Sequence, residues 1–199
     1  STIKTKELIE NKFLSNLNIK IIILKHHPRL FDNYQEEIRY LCDNERRNTF
    51  IKNLTLDQKR NTLVLFTRVE SHGQPLFDMI NKSATKGRKV FFVYGGVDTE
   101  DRERIRKITE SQTNAIIVAS YGTFSTGINI KNLHNVIFAS PSKSRIRNLQ
   151  SIGRVLRKSD SKLKATLYDI ADDITFNKQR NYTLNHLVER IKVYKEEKF

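Results

Sequence analysis

The chain predicts an α/β fold: a doubly wound domain on a central, mostly parallel sheet, flanked by an N-terminal arm and long helix and by a C-terminal helix. Three observations carry this. Short β-branched and aromatic runs recur along the 199 residues. Helical patterns lie between several of them. The runs are continuously apolar, as in strands covered on both faces, not alternating as in strands with one wet face.

The elements follow in order. Residues 1–31 carry a strand-like run, Ile21–Leu24, then a break at His26-His27-Pro28; they read as an arm or linker from a first domain that precedes them. The chain opens on Ser1, so an excised piece is expected, with a processed N-terminus as the alternative. Residues 32–57 read as one long helix with Tyr34, Ile38, Leu41, Phe50, Ile51 and Leu54 on one side. Thr62–Phe66 is the next strand, followed by a helix marked by Leu76, Phe77 and Ile80, and then by strand Val90–Tyr94. Asp98-Thr99 opens a helix whose first turns hold Glu100, Asp101 and Glu103, where carboxylates favour a helix N-terminus, and Ile105 and Ile108 face its core. Strands Ala115–Ala119 and Val136–Ala139, a helix over 145–158 and strand Ala165–Ile170 complete the alternation. The main domain is thus placed at 32–174. A C-terminal helical extension follows over 175–199, with Leu184, Leu187, Val188, Ile191 and Tyr194 as its apolar stripe.

Charge narrows the partners. The net charge is +14 with 36 Lys and Arg against 22 Asp and Glu, which favours a polyanion. Residues 141–164 hold eight of those cations against one acid, Asp160, so half the excess lies in 24 residues. No apolar run reaches the roughly 18 residues of a membrane span, and no signal-peptide pattern appears, so a soluble, cytoplasmic protein is expected. A single cysteine, Cys42, excludes an internal disulfide and a multi-cysteine metal site, and it reads as a reduced, partly buried thiol. No metal-ligand cluster is expected.

The chemistry concentrates in loops after strands and in one helix. Within 145–158, Gln150, Arg154 and Arg157 fall on one face at about 100° per residue. Two planar, bidentate guanidiniums and an amide suit a polyphosphate there, and Gly153 permits close approach. The same pattern fits an ordinary solvated helix. After Ala115–Ala119 the segment Ser120 to Asn129 has five hydroxyl groups and two glycines, which can present donors to a phosphate. Thr67-Arg68 follow one strand and Gly95-Gly96 another, so three strands end in small or hydroxylic residues; plain turns are the competing reading. No G-x-x-x-x-G-K-[ST] cradle occurs. Asp172-Asp173 comes closest to a Mg²⁺-holding acidic pair, without further support.

With these residues in view, the chain resembles the second RecA-like domain of superfamily 2 helicases. Leu65-Phe66-Thr67-Arg68 is similar to motif IV, and Tyr94-Gly95-Gly96 with Arg102 to motif IVa. Ser125-Thr126-Gly127-Ile128-Asn129 is similar to motif V, and Gln150-x-x-Gly153-Arg154-x-x-Arg157 to motif VI. The order and spacing hold over 62–170, and the wider wording resembles phage recombination helicases of this superfamily. The resemblance implies an ATP-dependent DNA helicase, with catalytic roles for Arg157 as arginine finger, Arg154 as its companion on the γ-phosphate and Gln150 as organiser. Gly127 and Asn129 would join those three at the nucleotide; Asn129 stands where the family commonly has Asp. Thr67, Arg68, Gly95, Gly96, Arg102, Ser120 and Thr123 would hold nucleic-acid phosphates. ATP with Mg²⁺ would be bound mainly by the N-terminal RecA-like domain of the same protein, so this chain alone would be inactive. The implied substrates are single-stranded and branched DNA and RNA–DNA hybrids. The implied roles are fork remodelling and branch migration in phage recombination, repair and replication, in the host cytoplasm. A small accessory or single-strand-binding protein is a further candidate partner. The alternatives are the motor of a restriction or remodelling translocase, or a non-catalytic basic nucleic-acid-binding module.

Overall fold

A computed structural model of the chain describes residues 16–127, 130, 132–140 and 164–196. Six parallel strands make one sheet: β1 (Asn16–Lys25), β2 (Thr62–Phe66), β3 (Val90–Val93), β4 (Ile116–Ser120), β5 (Asn135–Phe138) and β6 (Lys164–Asp173), in spatial order β1-β6-β5-β2-β4-β3. All six expected strands are present. Every residue of the central strands β2, β4 and β5 is buried, which explains their unbroken apolar sequences.

Helices cover both faces. Alternate residues Leu63, Leu65, Ile117, Ala119, Val136 and Phe138 form one core layer with Tyr121 and Phe124 of α5 (Tyr121–Gly127) and Tyr194 of α6 (Tyr182–Glu196). Ile105 of α4 (Thr99–Ser111) packs against that layer. The intervening residues Val64, Phe66, Ile116, Val118 and Ile137 pack against Ile51 of α2 (Glu45–Asp57) and against Leu76 and Ile80 of α3 (Gln74–Ser83). The fold is the doubly wound, RecA-like α/β architecture expected.

Three local expectations change. The long helix over 32–57 is two, α1 (Tyr34–Asp43) and α2, because Asn44 serves both ends. Its N–H bonds back to Leu41 O at 3.4 Å, and its Oδ1 accepts the Arg47 N–H at 2.9 Å. The expected arm over 1–31 contains the edge strand itself: β1 pairs with β6 in register from Asn16↔Lys164 to Lys25↔Asp173. The expected loop after β4 is helical over 121–127, because burying Tyr121 and Phe124 in the core outweighs the poor helix propensity of its Gly, Ser and Thr.

The C-terminal helix docks on the domain through buried polar chemistry. Glu37 of α1 is fully buried, and its carboxylate accepts from Tyr182 N (2.7 Å), Thr183 N (2.8 Å), Thr183 Oγ1 (2.6 Å) and Asn181 Nδ2 (2.8 Å) at the start of α6. These are the orphan donors and positive dipole end of a helix N-terminus. Further along, Arg190 forks onto Asp169 of β6, with Nε–Oδ2 and Nη2–Oδ1 both at 2.8 Å.

Candidate nucleotide and nucleic-acid interface

Because all strands run parallel, their carboxyl ends share one edge, where ligands of open α/β sheets gather. The registers Phe66↔Ser120 and Val93↔Ala119 bring the ends of the adjacent strands β2, β4 and β3 level. Thr67-Arg68, Ser120 to Thr123, and Gly95-Gly96 therefore emerge side by side. The structure brings these predicted residues together at the C-terminal edge.

Their local chemistry differs. Thr67 is exposed, while Arg68 is half-buried and donates from Nη2 to Gln35 Oε1 of α1. Gly95 and Gly96 are exposed in a turn closed by Val97 N to Tyr94 O at 3.0 Å. A Cβ on Gly96 would lie 2.6 Å from Tyr94 Cε2, so the ring folded over this turn requires glycine, whereas Gly95 has open space around it. Arg102 donates from Nε to Val97 O at 2.7 Å and from Nη2 to Gly95 O at 3.4 Å. It fixes the loop from behind and makes the loop's own backbone the surface on offer. Ser120 and Thr123 are buried: Ser120 Oγ donates to Thr123 Oγ1 at 2.8 Å and accepts the Thr123 N–H at 3.3 Å, which starts α5. Gly127 is the last residue of α5. Asn129, Gln150, Arg154 and Arg157 lie outside the described residues.

The acidic pair has a different employment. Asp172 is buried, and its Oδ1 accepts from Arg47 Nε at 2.9 Å and His26 Nε2 at 2.8 Å. Burial alone would raise its pKa, but Arg47 and then His26 hold it below the ordinary value. Asp173 accepts the Thr175 N–H at 3.1 Å, and its pKa is lowered chiefly by hydrogen bonding to Thr175. Cys42 is buried and free, with burial pushing its thiol pKa up. Among the described residues no helix is long and apolar enough to cross a membrane.

Sequence reasoning missed a polar cluster at the end of β5. His72 is buried in a π-helical turn (Val69–Gly73) that follows β2; its Nδ1 lies 2.7 Å from Ser140 Oγ and its Nε2 3.2 Å from Asn48 Oδ1. Asn48 Nδ2 donates to Cys42 O at 2.7 Å, so its Oδ1 faces His72, which makes Nε2 the donor and Nδ1 the acceptor of the Ser140 hydroxyl. Burial first, and the nearby Arg47 second, lower the His72 pKa to about 3, so it is neutral in the folded protein. No motif spacing marks these residues; the only sequence signal was the Arg46-Arg47-Asn48 wording of the resemblance.

Fold and site define a helicase motor domain. The family described as the helicase conserved C-terminal domain matches residues 45–159, from the start of α2 through Arg157, and the chain belongs to it. More narrowly, it is similar to the ATP-dependent DNA helicase uvsW of Enterobacteria phage T4, with 39% identity over 215 residues, covering 99% of this chain and 42% of that protein. The crystal structure of T4 UvsW superposes with a TM-score of 0.76 over 92% of this chain and 40% of that one. A DEAD box protein from the hyperthermophile Methanococcus jannaschii shares the fold at 16% identity and a TM-score of 0.57, covering 95% of this chain and 41% of that one. So does the ATP-dependent Type ISP restriction-modification enzyme LlaBIII, bound to DNA, at 14% identity and a TM-score of 0.62, covering 97% and 15%. The chain thus spans about two fifths of the length of UvsW.

Proposed function

We propose that this chain is the second motor domain of a UvsW-like, ATP-dependent DNA helicase, and that it completes an ATP site contributed mainly by a first RecA-like domain. The observation that carries the reading is the level row of loops at the ends of β2, β4 and β3, which places motifs IV, IVa and the start of the motif V segment on one edge. Thr67, Arg68 and the Gly95-Gly96 backbone grip strand phosphates there, with Arg102 holding the glycine loop and Ser120 and Thr123 shaping the turn beneath. Such a grip reads backbone and not bases, which suits an enzyme that moves along many sequences and binds less tightly as salt rises.

Gln150, Arg154 and Arg157, with Gly127 and Asn129, face the γ-phosphate of Mg²⁺-bound ATP, and Arg157 is the finger that stabilises charge on the transferring phosphoryl group. The substrates are branched DNA and RNA–DNA hybrids, and the cellular work is fork remodelling and branch migration in the cytoplasm of an infected host. The test is Arg157→Ala in the protein carrying both motor domains. DNA-stimulated ATP turnover falls by about 10³-fold or more while DNA affinity changes little, and the 199-residue chain by itself hydrolyses no ATP. Normal turnover in that variant, or robust hydrolysis by this chain alone, overturns the reading.

A further inference from the structure

Every polar group of Ala139 and Ser140, the two residues after β5, is held. Ala139 N and Ser140 N donate to Leu65 O of β2 at 3.0 and 3.2 Å. Ala139 O accepts from Arg47 Nη2 at 2.8 Å, and Ser140 O from the Tyr121 hydroxyl at 3.0 Å. Ser140 Oγ bonds His72 Nδ1 at 2.7 Å. The three side-chain donors and acceptors come from three elements. Arg47 is on α2, His72 lies in the turn that follows motif IV, and Tyr121 is the first residue of the helix carrying motif V. All three are buried, and each is fixed by other contacts: Arg47 by Asp172, His72 by Asn48, and Tyr121 by its place in the core beside Phe138, 5.6 Å between ring centroids.

A strand end needs no such treatment for its own stability, because its ladder hydrogen bonds already end at Leu65 O. What the extra bonds determine is the direction in which the backbone leaves the sheet, and Gln150 follows Ser140 by ten residues. We propose that Arg47, His72 and Tyr121 are positioning residues: they clamp Ala139–Ser140 so that the segment bearing Gln150, Arg154 and Arg157 leaves β5 in one fixed orientation, coupled to the motif IV and motif V elements on either side. The inference rests on the assignment of Arg157 to the ATP site. It adds that the finger's placement is set at the exit of β5, by residues that touch neither nucleotide nor DNA. A finger displaced by about 1 Å forfeits up to roughly a hundredfold in rate, so modest loosening at the root is enough to register.

The test uses Tyr121→Phe and Ser140→Ala in the protein carrying both motor domains, since each removes one hydroxyl and leaves the packing intact. Each lowers kcat for DNA-stimulated ATP hydrolysis by about tenfold, with KM for ATP, DNA affinity and melting temperature close to those of the parent. Combined with Arg157→Lys, which retains charge but not the bidentate fork, Tyr121→Phe costs less than a further twofold, because both changes act on the same contact. Full kcat in both single variants overturns the clamp, and so does an undiminished tenfold loss in the Arg157→Lys background, which would show that Tyr121 acts elsewhere. If Arg157→Ala itself turns over normally, the finger assignment fails and the clamp falls with it; a dead Arg157→Ala beside fully active Tyr121→Phe and Ser140→Ala overturns the clamp alone.

Discussion

Replacing Asp169 by Asn tests how α6 is held to the domain. The carboxylate is fully buried on the face of β6 that meets α6 and accepts three hydrogen bonds: Arg190 Nε and Nη2, each at 2.8 Å, and the Tyr194 hydroxyl at 2.7 Å. Burial and then the adjacent Asp169 carboxylate raise the Tyr194 pKa, so its hydroxyl remains a donor at working pH. The Arg190 guanidinium is opposed by burial, yet Asp169 more than offsets this and its pKa is raised. Asparagine removes the negative charge, leaving a cation that is 1% exposed with no counter-charge on its partner. Breaking a buried pair in this way costs about 3–5 kcal/mol. For a chain of this size each kcal/mol corresponds to about 2–4 °C, so calorimetry of Asp169→Asn should show a melting temperature lower by about 10 °C or more. The triple change Asp169→Leu, Arg190→Met, Tyr194→Phe should recover most of that loss, since a well-packed apolar replacement of a buried pair is often neutral. A loss below about 1 kcal/mol in Asp169→Asn would refute the claim that this contact anchors the C-terminal helix; so would a triple variant as unstable as the single one.

Two further outcomes follow from buried polar groups. The folded His72 pKa of about 3 lies below the ordinary 6.5, so below 6.5 the unfolded chain binds a proton that the folded chain refuses. Its contribution is complete above pH 6.5 and declines on acidification toward pH 3, at about 1.4 kcal/mol per pH unit; urea midpoints measured from pH 7 to 4 should fall less steeply in His72→Gln, and an identical slope would remove His72 as the cause. Asn61, fully buried before β2, donates from Nδ2 to Thr109 O, Gln112 O and Asn132 O at 2.8–3.0 Å and accepts the Ala115 N–H at 2.7 Å. Asn61→Ala leaves several buried backbone groups unpaired and should cost about 3 kcal/mol, read as a urea midpoint shift at constant m-value; a change under 1 kcal/mol would mean that water replaces the amide there.

The strands were legible because a parallel sheet covered on both sides needs apolar residues at successive positions, and Thr62–Phe66 and Ile116–Ser120 contain little else. What escaped was set by tertiary context. Asn16 to Lys20 alternates polar and apolar residues, since an edge strand sends Leu17 and Ile19 to the core while Lys20 stays exposed, and that weak pattern concealed half of β1. The break at Asn44 lies within a continuous apolar stripe, so periodicity passes straight through a residue that caps two helices. Ser120 to Gly127 has loop composition, and only the core positions for Tyr121 and Phe124 make it helical. The motif residues were legible through resemblance. The clamp was not, because Arg47, His72, Tyr121 and Ser140 come from four distant stretches and meet only when β2, β4 and β5 lie side by side.

The arrangement of charge by depth connects fold to function. Arg47 and Arg190, the buried arginines among the described residues, each face a buried aspartate, Asp172 and Asp169, so the interior carries matched pairs and contributes nothing to the net +14. Arg88 turns all its printed donors to the backbone carbonyls Leu56 O, Gln58 O and Asn114 O, at the edge of the sheet opposite the motif loops. Arg106 is matched by Glu103 and Glu110 on α4. The excess is therefore peripheral, and half of it belongs to residues 141–164, the stretch that follows the clamped exit of β5. A cationic segment is repelled by itself and is drawn to any polyanion nearby, so its own charge gives it no preferred orientation. The orientation has to come from where the segment is rooted. Five neutral or internally paired hydrogen-bonding groups at Ala139–Ser140 supply that root without adding charge to it, which leaves the arginines beyond free for phosphate.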